Sequence, residues 1–151
     1  MDGRTALPFK ASVAAVSEHA GGQLMEESKR HAAGMKTRRE VLGDAHVEKA
    51  EASETPFNED FQELTTRYAW GEIWSRPGLP RHTRSLLTIA MMVALNRTEE
   101  LRLHLRACVN NGVTQEEIKE VLLQCAIYCG VPAANSAFRL AAEVFDADQG
   151  H

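Results

Sequence analysis

The stretch RHTRSLLTIAMMVALN, residues 81 to 96, restricts the fold more than any other part of the chain. At about 100° per residue, Leu86, Leu87, Ile89, Ala90, Met91 and Val93 cover most of a helix circumference, so the helix is expected to be buried. No segment of the 151 residues reads as a strand, so the cover must come from other helices. The expected fold class is all-α, with six or so helices and no internal repeat.

Punctuation in the chain sets the other helices. MEESKRHAAGMKTRREVLG, from Met25, is rich in helix formers and closes on Gly43. DAHVEKAEASETPF then reads as a polar loop after one short helical turn. Phe57, Phe61, Leu64 and Tyr68 share one helical face and Trp70, Ile73 and Trp74 make a second, so this helix is expected to be covered on two sides. SRPGLP breaks the chain, and Pro80 suits the start of the helix at 81. The next helix starts at Thr98, with Glu99 and Glu100 favouring the positive end of its dipole, and stops at Asn111-Gly112. VTQEEI is a capping box, Thr114 with Glu117, stapled by Val113 against Ile118, and opens a helix to about Cys129. Gly130 and Pro132 separate it from a last helix, roughly 133 to 147. Residues 1 to 24 show weak periodicity and read as an extension to a domain over 25–151.

Composition removes several functional classes. With 44% hydrophobic and 25% charged residues, the chain can build one ordinary core. A net charge of −4 argues against a nucleic-acid binder, which carries a basic field. No run approaches the roughly 20 apolar residues of a membrane span, and the first residues lack a secretory plan. Three cysteines without paired metal spacing fit a reducing compartment, so a cytoplasmic location is expected.

Polar groups on apolar helices mark candidate chemistry. Arg81, Arg84, Ser85 and Thr88 fall in one narrow strip of the 81–96 helix. They either hold a ligand or, near the helix end, let the arginines reach surface carboxylates. Glu100 and His104, at i, i+4 spacing, flank the core face of Leu101, Leu105 and Cys108. A carboxylate there raises the imidazole pKa and makes an acid–base pair, or the two form an ordinary surface pair. Cys108, Cys125 and Cys129 read as packing. His46 is a pocket residue or an exposed one, and His82 a site residue or a satisfied packing histidine.

Four ordered stretches add a resemblance: RREVLGDAHV (38–47), YAWGEIWSRPGLPRHTRSLLTIA (68–90), EELRLHLRACVNNGVT (99–114) and EVLLQCAIYCGVPAANSAF (120–138). Over about residues 35–147 the chain resembles the carboxymuconolactone decarboxylase family, in the alkylhydroperoxidase D-like superfamily. The resemblance implies a small helical subunit in a homo-oligomer, commonly a hexamer, with no metal or organic cofactor. It implies loss of carbon dioxide from an unsaturated lactone that carries a carboxylate and an acetate arm; the charge and the lack of a long apolar run already set aside a nucleic-acid or membrane partner. On this reading Trp70 and Trp74 wall the site, and Arg81 and Arg84 clamp carboxylates with Ser85 and Thr88 beside them. Glu100 and His104 handle the proton, and His46 and His82 are further candidates. Peroxidase members of the superfamily place a Cys-x-x-Cys pair before the matching histidine. Here Arg97 and Glu100 stand at those positions, so the thiols that peroxide reduction needs are missing. A non-catalytic helical oligomerisation module is the third reading, favoured if Arg84 and His104 face bulk solvent.

Overall fold

The computed structural model describes residues 27–149, with side chains through 147; the extension expected at 1–24 lies outside the described residues. Seven α-helices and no strand occur among the described residues: α1 Glu27–Leu42, α2 Asp44–Ala52, α3 Glu59–Leu64, α4 Arg81–Ala94, α5 Thr98–Ala107, α6 Gln115–Tyr128 and α7 Val131–Gln149. α3 passes directly into a π-helical segment, Thr65–Ile73, and α5 into a 3-10 turn, Cys108–Asn111. No helix among the described residues is long and apolar enough to cross a membrane.

Several boundaries follow the local chemistry read from sequence. The capping box at α6 is formed in both directions: the Glu117 amide donates to Thr114 Oγ1 at 3.2 Å, and the Thr114 amide donates to Glu117 Oε2 at 2.9 Å. Val113 and Ile118, the staple pair, are both buried. Gly43 ends α1 at φ 88 and Gly112 ends the 3-10 turn at φ 74, conformations that cost a glycine little.

Three expectations are corrected. The polar segment after Gly43 is a nine-residue helix, α2, because Val47 is fully buried and anchors it while Asp44 favours its first turn. The last helix begins at Val131, with Pro132 in its first turn, where the missing amide would have had no intrahelical acceptor. The helix carrying the tryptophans is covered on one side only. Trp70 is buried, but Phe57 is 98% exposed, and Phe61, Leu64, Tyr68 and Ile73 are exposed with it. α4 likewise buries Ser85, Ile89 and Val93 while Leu87 and Met91 stay exposed.

The main core lies among α4 to α7, where Ile89, Leu105, Ile118, Leu122 and Val144 are almost wholly buried. Each such side chain contributes about 1.5–3 kcal/mol relative to exposure. A second, smaller core of Val41, Leu42, Trp70 and Ala107, with Trp74 and Leu103 against it, fixes α1 and the π-helix to α5. The Asn110 side chain donates to the Val41 carbonyl at 3.2 Å, tying the end of α5 to the end of α1. The candidate chemistry sits around this smaller core.

Candidate active site

His104 is the centre of the arrangement. α5 carries it on the flank of its buried Leu101–Leu105 face, and its ring stacks on Trp74 with centroids 6.4 Å apart and planes 6° from parallel. Trp74 in turn lies 5.3 Å from Trp70. Trp70 is held by its own segment: the Ser75 hydroxyl donates to the Trp70 carbonyl at 2.7 Å, and Thr37 of α1 reaches Ser75 Oγ at 3.0 Å. The two tryptophans and His104 thus form one continuous aromatic surface, drawn from two elements far apart in the chain.

Burial pushes the His104 pKa down to about 4. His46, on α2, adds to the fall, and Glu100 opposes it without prevailing. This corrects the sequence expectation that Glu100 would raise the imidazole. Glu100 is exposed, so water screens its field, and no hydrogen bond or ion pair joins it to His104 among the described residues. His104 is therefore neutral at pH 7. His46 is lowered too, by burial first and then by Arg38 and Lys49. It lines a cleft of about 470 Å³ that Glu100, Arg106 and Ser53 also line. His46 and Glu100 thus share a cleft and His46 reaches His104 through its field.

The α4 strip is placed differently. Arg81 is paired with Glu40 of α1 at 2.6 Å, half in solvent, the surface pairing that the sequence left open. Among the described residues Arg84 donates only to the Arg76 carbonyl, at 3.2 Å, and its buried Nε has no partner. Ser85 is buried and Thr88 half-buried. No hydrogen bond, ion pair or ring contact joins these four residues to His104 or the tryptophans among the described residues. His82 pairs with Glu117 of α6 at 2.9 Å, so it fastens α4 to the α6 capping box, in line with the packing alternative.

Arg38 is a buried candidate that sequence reasoning missed. It is 8% exposed on α1, and its burial lowers its pKa against the fields of Glu51 and Glu54. The buried positions of α1, Gly34, Thr37, Arg38, Val41 and Leu42, follow i, i+3, i+4, i+7, i+8 spacing. That pattern would have exposed it, had small and polar residues been counted as inward-facing.

Among the described residues the all-helical fold sets a half-buried histidine on an aromatic wall, with arginine at 97 and glutamate at 100 in place of cysteines, a candidate acid–base arrangement. Comparison with known proteins gives the family: residues 59–143 match the carboxymuconolactone decarboxylase family, and the chain belongs to it. It is 55% identical over 121 residues to 4-carboxymuconolactone decarboxylase of Acinetobacter baylyi, covering 80% of this chain and 90% of the relative. It is 48% identical over 104 residues to nitrosuccinic acid decarboxylase of Metarhizium robertsii, covering 69% of this chain and 73% of that one. A 48-residue sequence of 4-carboxymuconolactone decarboxylase from Pseudomonas putida is 50% identical throughout its length, over 32% of this chain.

Proposed function

We propose that this protein is a cytoplasmic carboxy-lyase that converts 4-carboxymuconolactone to 3-oxoadipate enol-lactone and carbon dioxide, in the protocatechuate branch of aromatic catabolism. The observation that carries this reading is the 55% identity to a decarboxylase of that name across nine-tenths of its length. The chemistry suits a site of this make-up. When the carboxylate leaves the ring carbon, its bonding electrons pass through the ring double bond to the lactone carbonyl, giving a dienolate. One proton then returns to the carbon beside that carbonyl. The substrate holds its own electron sink, and the protein has to bind anions, shield the ring and deliver a proton.

His104, with Glu100 as its countercharge, is the proposed proton donor, and Trp70 and Trp74 the apolar wall. A pKa of about 4 would leave it unprotonated, but the substrate brings two carboxylates. One carboxylate at about 5 Å, in an effective dielectric of about 20, contributes roughly 3 kcal/mol, or about two pKa units. Substrate binding thus raises His104 into the working range, and the proton arrives with the substrate. Arg84, whose guanidinium meets no carboxylate, is the proposed clamp of α4, while Arg81 shapes the entrance through Glu40.

A homo-oligomer, proposed as a hexamer, is supported by two bare apolar faces. One is the Phe57, Phe61, Leu64 and Tyr68 stripe, and the other surrounds a groove of about 350 Å³ between α4 and α6, near Leu87, Ile127 and Tyr128.

The purified protein is expected to consume 4-carboxymuconolactone with release of one carbon dioxide, unaffected by chelator, without thiol-dependent turnover of hydroperoxide. A second reading is carried by the fungal relative: an open-chain nitro diacid, whose nitro group is also an electron sink. Nitrosuccinate turnover exceeding lactone turnover would replace the first reading with the second, and no turnover of either would remove both. Arg84→Lys is expected to lower kcat/KM about tenfold or more with unchanged thermal unfolding, because an ammonium cannot make the two-pronged contact. Wild-type kinetics in Arg84→Lys and Arg84→Ala would take Arg84 out of the site.

A further inference from the structure

Arg38 is a buried cation that no ion pair explains among the described residues. Its Nη1 donates to Thr66 Oγ1 at 3.3 Å and its Nη2 to Gln62 Oε1 at 3.0 Å, both neutral oxygens, and its buried Nε–H has no partner among the described residues. The adjacent Arg39 has the opposite arrangement, with Asp44 at 3.2 Å and Glu51 at 2.7 Å. Leaving guanidinium donors unmatched in a buried position costs about 1–3 kcal/mol for each unsatisfied group, more when the group is charged.

The guanidinium borders a pocket of about 260 Å³ between α1, α2 and the α3–π-helix element. Gln62 and Thr66 line it on one side. The carboxylates around it are Glu51, Glu54 and Glu63, with His31 beside them. Glu51 is engaged by Arg39, and Glu63 lies 3.6 Å from His31 and 3.5 Å from Arg67. The fields of Glu51 and Glu54 keep Arg38 ionised, yet neither carboxylate takes its N–H groups. The result is a charge balanced from a distance, with hydrogen-bond donors left for an incoming acceptor. π-Helical turns often mark such functional places, and Thr66 belongs to one.

From this geometry we propose that Arg38 receives one carboxylate of the substrate, in the pocket bordered by Gln62 and Thr66, through its Nε–H and a free Nη–H. The assignment rests on the small-carboxylate substrate class proposed above. A planar guanidinium already held by two neutral partners binds a carboxylate with little further ordering, and a charge-assisted bond is about twice as strong as a neutral one. The Arg38 charge is felt at His46, and the His46 charge at His104.

The test uses succinate, an unreactive small dicarboxylate, and the intact ¹⁵N-labelled protein. The Arg38 Nε–H resonance, assigned through bonds, is expected to shift saturably on titration. Calorimetric affinity for succinate is expected to fall about tenfold or more in Arg38→Lys and to stay unchanged in Arg39→Lys. With the lactone, Arg38→Lys is expected to raise KM about tenfold, with kcat within about threefold of wild type. An Nε–H resonance that does not move, or succinate binding in Arg38→Lys equal to wild type, overturns the proposal. The wild-type titration decides alone if Arg38→Lys does not fold. Saturable succinate binding at Arg38 without lactone turnover would overturn the decarboxylase reading and keep the carboxylate site. Lactone turnover with wild-type KM in Arg38→Lys would do the reverse.

Discussion

His104→Gln is expected to lower kcat on the lactone by about 100-fold or more with a smaller change in KM, since general acid catalysis typically contributes 10² to 10⁴. The pH dependence is the sharper part of the expectation. In the free protein the imidazole is depressed to about 4, and in the proposed complex the substrate carboxylates are expected to raise it. Between those two values binding takes up a proton, so kcat/KM should fall nearly tenfold per unit as pH rises from about 5 to 7. The kcat value, which reports the complex, should stay flat to a higher pH. Glu100→Gln should depress the imidazole further and lower kcat in the same direction, more weakly than loss of the ring. In deuterated solvent the wild type should place deuterium on one face of the ring carbon, and His104→Gln should lose that selectivity. Wild-type kcat in His104→Gln would move proton delivery elsewhere. A kcat/KM that instead rises with pH and levels off near 5 would mean that the ring works in its neutral form.

The two sides of this site differed in how far they could be read from the chain. Helix ends, caps and the main core depend on neighbours within four residues, so Thr114 with Glu117 and the Leu101–Leu105 face were legible. The i, i+4 spacing of Glu100 and His104 was legible too, but not the sign of the imidazole shift. That sign is decided by burial under Trp74 and by His46, which come from other helices. Arg38 escaped notice because its helix face is built from glycine, threonine and arginine, and an apolar search passes over it. The tryptophan helix looked like one amphipathic helix covered on both sides. Its π-helical turn rotates the residues beyond Leu64 relative to α3, and the Phe57–Tyr68 stripe stays open to solvent. Arg81 and Arg84 fell in one strip of the wheel, yet one meets Glu40 and the other a backbone carbonyl, a distinction set by what lies across α4.

Gly34→Ala is expected to be among the most damaging single substitutions outside the candidate catalytic residues. A Cβ at Gly34 would lie 2.0 Å from the Thr66 carbonyl oxygen and 2.9 Å from its carbon, both backbone atoms that no rotamer change can move. Gly71 is the reciprocal contact, where a Cβ would meet the Arg30 carbonyl oxygen at 2.6 Å. Alanine in a helix interior gains about 1 kcal/mol over glycine. Overpacking typically costs about 1–3 kcal/mol, and a clash with rigid backbone belongs at or above the top of that range. The clash therefore wins, and α1 must separate from the π-helix. A net loss of about 2 kcal/mol or more corresponds to a Tm lower by roughly 6 °C or more for a domain of this size. The separation would also reach the site, because Thr66 holds Arg38 and Thr37 holds Ser75 behind Trp70. Activity should thus fall with stability at temperatures where the variant is still folded. Gly78→Ala, with nothing among the described residues within 4 Å of the added carbon, is the matched control and should unfold within about 2 °C of wild type. A Gly34→Ala protein with wild-type Tm and kcat would show that α1 and the π-helix do not pack backbone to backbone, and that Arg38 and Trp70 are positioned by other contacts.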